Sequence, residues 1–265
     1  MRKRFSMKVD SNFSKWACSL TGCDGGDIEK SKIWVSGIEW GHSKEKGQSQ
    51  DEFDSSFRKY YAEDLGVEMS ANGKQTKNVY DIAKETNSQF GRTLAKLYAV
   101  IEGHDISDYQ QVAKASDGTE IFKMNLYPIA FPDTADHYWN VLKLEEITGI
   151  QTKELYRVWC CLNRFPHFAK LVTDNEPSVI IGTGVSYLTQ FALAFGSDGG
   201  IDGFERITFK PESDKNGRDR DIYVGLIGKS TLLVVTPFFG GPSGLNSDYL
   251  IQMVGDEINK RRSTS

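Results

Sequence analysis

A chain of 265 residues is long for one small domain and short for two ordinary ones, so a single α/β domain (1–265, core at about 30–260) is expected. Hydrophobic residues make up 39%, with 15 Phe, 11 Tyr and 5 Trp, enough to build a core and to exclude a largely disordered chain. Lys and Arg number 32 against 36 Asp and Glu; the net charge of −4 excludes a strongly basic polyanion binder but leaves room for a local nucleic-acid contact.

The basic start, 1–11, lacks the run of about 7–15 apolar residues that a secretory signal needs. A short helix is expected from Asn12 to Leu20, with Phe13, Trp16, Ala17 and Leu20 at helical spacing, stopped by the Gly-Cys-Asp-Gly-Gly turn at 22–26. Lys32 to Ser36 reads as a compact strand and the polar stretch 42–56 as a surface loop. Helices are expected at 54–64 and at 79–102, the latter with Val79, Ile82, Ala83, Phe90, Leu94, Leu97, Tyr98 and Ile101 on one buried face. A second strand covers 120–125, and helical patterns recur at 136–147 and 152–172.

Ser178 to Gly196 is the most apolar stretch, but Gly and polar residues interrupt it short of the about 20 apolar residues of a membrane span. It reads instead as a strand to Ile181, the turn Gly182-Thr183-Gly184, and a helix from Ser186 to Phe195. Strands follow at 204–210, 221–227 and 230–236, the last two joined by Gly228-Lys229 at hairpin length. A helix at 247–260 leads into the basic tail 260–265. Strands alternating with helices in this way predict a three-layer αβα fold around a mostly parallel sheet, in a soluble, cytoplasmic chain with no membrane partner.

Cys18, Cys23, Cys160 and Cys161 are spaced poorly for one tetrahedral centre, since adjacent side chains rarely converge, so buried structural thiols are expected and no metal. A G-x-S-x-G elbow, a P-loop and a G-x-G-x-x-G turn are missing from the sequence, which disfavours serine hydrolases, nucleotide triphosphatases and dinucleotide enzymes.

In open α/β sheets the ligand lies beyond the carboxyl ends of the strands. Four strand-end segments carry chemistry: Gly37-Ile38-Glu39-Trp40-Gly41-His42, Asn125-Leu126-Tyr127-Pro128, Gly182-Thr183-Gly184, and Gly241-Pro242-Ser243-Gly244-Leu245. Their kind and order resemble the uracil-DNA glycosylase superfamily. That family carries a first motif after strand one (G-Q-D-P-Y-H in the best-known branch), an Asn ending strand two and a late H-P-S-x-L loop. The resemblance spans about 30–260, as sparse motifs.

It implies a uracil-DNA-glycosylase-like fold and a DNA glycosylase that flips a base and hydrolyses its N-glycosidic bond without a cofactor, with DNA as partner. Glu39 would stabilise the oxocarbenium-like sugar or orient water. Asn125 would read the flipped base with its donors and acceptor, and His42 would lie near a phosphate. Gly37, Trp40, Gly41 and Tyr127 would line the pocket, and Phe238 or Phe239 would stack on the base, as could Tyr60 and Tyr61. Gly241, Pro242 and Ser243 would pinch phosphates, with Leu245 as the wedge left in the vacated stack.

Each residue also has a structural reading: Glu39 as a solvated or capping acid, Asn125 bonded to nearby backbone, Leu245 packed on the last helix. Gly241 replaces the family His, Trp40 the Pro and Glu39 the Asp, which points away from plain uracil toward a modified or enlarged pyrimidine, as in the removal of unusual viral bases. A non-catalytic nucleic-acid or nucleotide binding module on the same fold is the alternative.

Overall fold

The computed structural model describes residues 8–39, 41, 47–70, 79–131, 136–196, 203–210, 218–228 and 230–263. The chain groups into two compact units interleaved along the sequence. The first is Met1–Cys23, Glu39–Thr76 and Asn125–His167; the second is Asp24–Ile38, Lys77–Met124 and Phe168–Ser265.

The second unit is built on the sheet. Its strands are β1 (Cys23–Gly25), β2 (Ile33–Gly37), β3 (Ile121–Asn125), β4 (Val179–Thr183), β5 (Glu205–Phe209), β6 (Arg220–Ile227) and β7 (Thr231–Thr236). They lie in the order β1-β3-β2-β4-β7-β6-β5. β4 pairs in parallel with β2, Val179 opposite Ile33, and with β7, Val179 opposite Leu232. β6 turns back antiparallel on β7, and β5 antiparallel on β6.

β4 and β7 are buried along their whole length, the pattern of strands covered on both faces. On one face Val35, Ile181, Val234 and Val224 pack with Leu94, Leu97, Ile251 and Val254 from the helices Gln89–Ile101 and Asp248–Arg262. On the other, Gly182 lies so close to the helix Leu188–Phe195 that a methyl group there would meet the Phe191 ring at 2.8 Å. Helices thus flank a mixed, mostly parallel sheet.

Helices and aromatic rings make up the first unit. Asp10 caps the helix Ser11–Ala17, and Ser49 with Glu52 forms a capping box at the start of Gln50–Lys59. That helix runs through a π-helical turn, Tyr60–Asp64, into Leu65–Ser70. Phe13, Tyr156 and Trp159 pack together, as do Tyr61, Phe131, Trp139 and Tyr156.

Arg164, on the helix Lys153–Asn175, is fully buried at the centre of this unit. Nε donates to the Leu126 carbonyl at 2.7 Å, while the Nη atoms donate to those of Thr21 at 2.6 Å, Asn125 at 3.2 Å, Ser19 at 3.3 Å and Ala17. One guanidinium therefore ties the chain at 17–21 to the residues that leave β3. Charge-assisted bonds of this kind are the strong ones.

Four local expectations need correction. The loop expected over 42–56 gives way to helix at Gln50, where the Ser49 cap competes successfully with polar composition. The helix expected over 79–102 is two, Ile82–Glu85 and Gln89–Ile101, because Ser88 caps a new start with its hydroxyl on the Gly91 N–H. A helix Tyr109–Ala115 forms where none was expected. The turn expected at 22–26 contains β1, whose Gly26 flank approaches the Ile121 carbonyl more closely than any side chain would allow.

Candidate functional site

Glu39 leaves β2 and lies in the first unit. Beyond the strands, Gly41 and Phe131 form a parallel bridge, so the segments that follow β2 and β3 run side by side there. The Glu39 side chain is 5% exposed and its Oε2 accepts from Lys153 Nζ at 3.0 Å; the Lys153 side chain is 0% exposed. The same ammonium lies 3.8 Å from the centroid of the Phe131 ring. Arg157, one helical turn on, stands 3.9 Å from Glu39 Oε1 and is itself paired with Asp136 at 3.0 Å.

Oε1 of Glu39 is buried and has no hydrogen-bond partner among the described residues. Burial raises Glu39 above the ordinary carboxylate range, against the pull of Lys153 and Arg157. Burial likewise lowers Lys153, against the pull of Glu39. The pair is thus a desolvated acid and base that offset one another, with one basic oxygen left over.

Asn125 ends β3 with its side chain buried, and Nδ2 donates to the Gly22 carbonyl at 3.2 Å. Its backbone N–H donates to the same oxygen at 2.9 Å, so part of the carboxamide is engaged with local backbone. Tyr127 is buried against Tyr156 and Phe165, a core position rather than a pocket wall. Tyr61 is buried too, with its hydroxyl on the Ala130 carbonyl, so it presents no face for stacking. Gly37 ends β2, half-buried. Trp40 and His42 lie outside the described residues.

In the second unit, Phe239 is 0% exposed, packed on Phe90 and unable to stack on a base, whereas Phe238 is 55% exposed. Leu245 is 0% exposed within the hydrophobic core, which corrects its expected role as a wedge. Its N–H donates to the Phe238 carbonyl at 2.9 Å, drawing the side chain inward.

Gly241, Pro242 and Ser243 are exposed, Gly241 at φ +72. Behind them Arg220, 8% exposed, donates to the carbonyls of Gly244 at 3.1 Å and Pro242 at 2.7 Å. Asn246 Nδ2 donates to those of Gly241 and Pro242 at 3.2 and 3.3 Å. Loop carbonyls are thereby held by donors, and the Ser243 side is left facing outward.

A cavity of about 330 Å³ in the second unit is lined by Tyr98, Glu102, His104, Asp108 and Glu120, none of them a sequence candidate. Its charged lining is acidic, which does not suit a phosphate backbone. Among the described residues no group of three or more His, Cys, Asp or Glu is placed to hold a metal ion, and no helix is long and apolar enough to cross a membrane. No disulfide joins the four cysteines; burial raises Cys18, Cys160 and Cys161, which makes each a poor nucleophile.

Lys153, Arg157, Arg164 and Arg220 escape a strand-end reading of the sequence. Two left a trace. Lys153 opens a helix, where the dipole disfavours a cation, and Arg164 stands among Tyr156, Cys160 and Phe168 in a buried i, i+4 stripe. Comparison with protein-family models gives no matching family, and comparison with curated proteins gives no match.

Proposed function

We propose that the protein is a DNA glycosylase of the uracil-DNA-glycosylase kind, which flips a pyrimidine out of DNA and hydrolyses its N-glycosidic bond. The observation that carries this reading is Glu39: a desolvated carboxylate after a strand of an α/β sheet, one oxygen fixed by Lys153 and the other with no hydrogen-bond partner among the described residues, Arg157 standing 3.9 Å from it. Such a group suits a reaction in which positive charge develops on a sugar and a water must lose a proton. The water oxygen bonds to C1′, the C1′–N bond breaks with its electron pair on the base, and the water proton passes to Glu39 Oε1. A buried carboxylate raised toward neutrality is a stronger base than a solvated one.

In the second unit, taken by itself, Ser243 is exposed on a loop whose Pro242 carbonyl Arg220 holds, and a hydroxyl of that kind can meet a phosphate oxygen. The test is to incubate the full chain with single- and double-stranded DNA carrying uracil or modified cytosines, and to score alkali-labile abasic sites. Turnover is expected on at least one substrate, and Glu39→Gln is expected to lower it by about 10²- to 10⁴-fold while DNA affinity changes little. Unchanged turnover in that variant rules the reading out.

A second reading, a nucleic-acid binding module without catalysis, is favoured by two observations. The Asn125 amide is engaged with Gly22, and Leu245 is core. DNA binding with no abasic product on any base would select it.

A further inference from the structure

Lys153 is an expensive residue to place where it is. It opens the helix Lys153–Asn175, where Thr152 Oγ1 accepts from the Leu155 N–H in the manner of a cap and the helix dipole repels a cation. Its ammonium is fully buried between the Phe131 ring and Glu39 Oε2. An apolar pair of the same shape would hold this part of the fold as well or better. Stability alone therefore does not account for the pair, and buried, mutually perturbed groups mark functional sites.

Resting on the reading of Glu39 as the proton acceptor, we propose that Lys153 is its positioning residue. The ammonium fixes Oε2, supplies the positive charge that lets a carboxylate at this depth remain ionised, and so keeps Oε1 as the available basic atom. The amine itself does not touch the substrate: its side chain is 0% exposed.

The other charged and titratable groups about Glu39 come from each element packed against it. Arg157 and Tyr156 come from the same helix, Asp136 from the residue ahead of the helix His137–Val141, and Tyr61 from the π-helical turn. Arg157 is held back by Asp136 and makes no hydrogen bond to Glu39 at 3.9 Å, so it braces the pair from outside. Tyr61 and Tyr156 are raised by burial and stay neutral. Among the described residues Lys153 is the cation hydrogen-bonded to Glu39.

The test follows the Glu39 carboxyl by carbon-13 NMR titration of protein labelled at the Glu side chain, its signal assigned with Glu39→Gln. In Lys153→Met the Glu39 midpoint should move upward by at least about one pH unit. In Lys153→Arg, which keeps the charge, it should stay near the parent value. Should the Met variant fail to fold, Lys153→Gln serves in its place. Where turnover is measurable, the acid limb of kcat/KM should move by the same amount, with activity regained at alkaline pH, a readout that a merely structural residue would not shift.

An unmoved Glu39 midpoint in a folded variant overturns the proposal, and it leaves the glycosylase reading intact if Glu39→Gln still abolishes turnover. A moved midpoint in a protein that releases no base from any DNA supports the coupling and refutes the glycosylase reading.

Discussion

At the scale of single residues, the buried Glu39–Lys153 pair gives the proposed function its test. Removing one partner of a buried ion pair strands the other, so Lys153→Met is expected to cost about 3–5 kcal/mol. The double variant Glu39→Gln with Lys153→Met should return to within about 1 kcal/mol of the parent or exceed it. Urea unfolding of the four proteins of this cycle measures both. The same series carries a pH signature. Because burial raises Glu39, the folded protein holds a proton that the unfolded chain has already released, between the ordinary carboxylate value and the raised one. Stability therefore falls as pH rises through that window, and Glu39→Gln should flatten the slope. A cycle that sums simply, with no return in the double variant, would show that the pair is ordinary scaffolding.

Among secondary elements, what holds the late loop is a strand residue. Arg220 starts β6 and reaches the carbonyls of Pro242 and Gly244. A methyl group at Gly244 would meet the carbonyls of Gly240 and Phe238 at 2.1 and 2.2 Å, so only glycine fits there. Arg220→Met and Gly244→Ala are each expected to cost about 2–4 kcal/mol by calorimetry or urea unfolding. Both loosen one loop, so the double variant should cost less than their sum. Strict additivity would mean that the two residues act on separate structures.

Elements were legible where composition and period agree. The hairpin β6–β7 was marked by two β-branched runs and a Gly-containing turn, and β2 and β4 by short apolar runs leading into glycine. The break between Glu85 and Gln89 was hidden because its cause is one hydroxyl, that of Ser88, inside an unbroken apolar stripe. Tyr60–Asp64 was covered by a predicted helix, but a π-helical turn depends on backbone bonding that spacing does not report. The acid at 39 could be singled out by its place after a strand. Its partner Lys153 stands 114 positions away, and nothing in either segment announces the other.

For the molecule as a whole, net charge sets how DNA would be held on the proposed function. With −4 overall, binding cannot rest on a general positive field, so few phosphate contacts are expected. The logarithm of the association constant against that of salt concentration should therefore have a slope no steeper than about −4. A slope near −8 would require a basic surface of another order. Nor is the outer border of the sheet inviting to further strands. Arg206 on β5 pairs with Asp221, and Glu205 with Arg261, so that edge carries paired charges rather than a bare apolar ribbon.

The guanidinium of Arg164 rests on peptide oxygens, and these do not titrate. Acidification protonates the carboxyl proposed as the proton acceptor, yet it finds no proton-accepting partner among these bonds to unfasten. The bonds that hold residues 125 and 126 at Arg164 thus carry no titrating acceptor, in contrast to the carboxyl proposed as proton acceptor in the same unit.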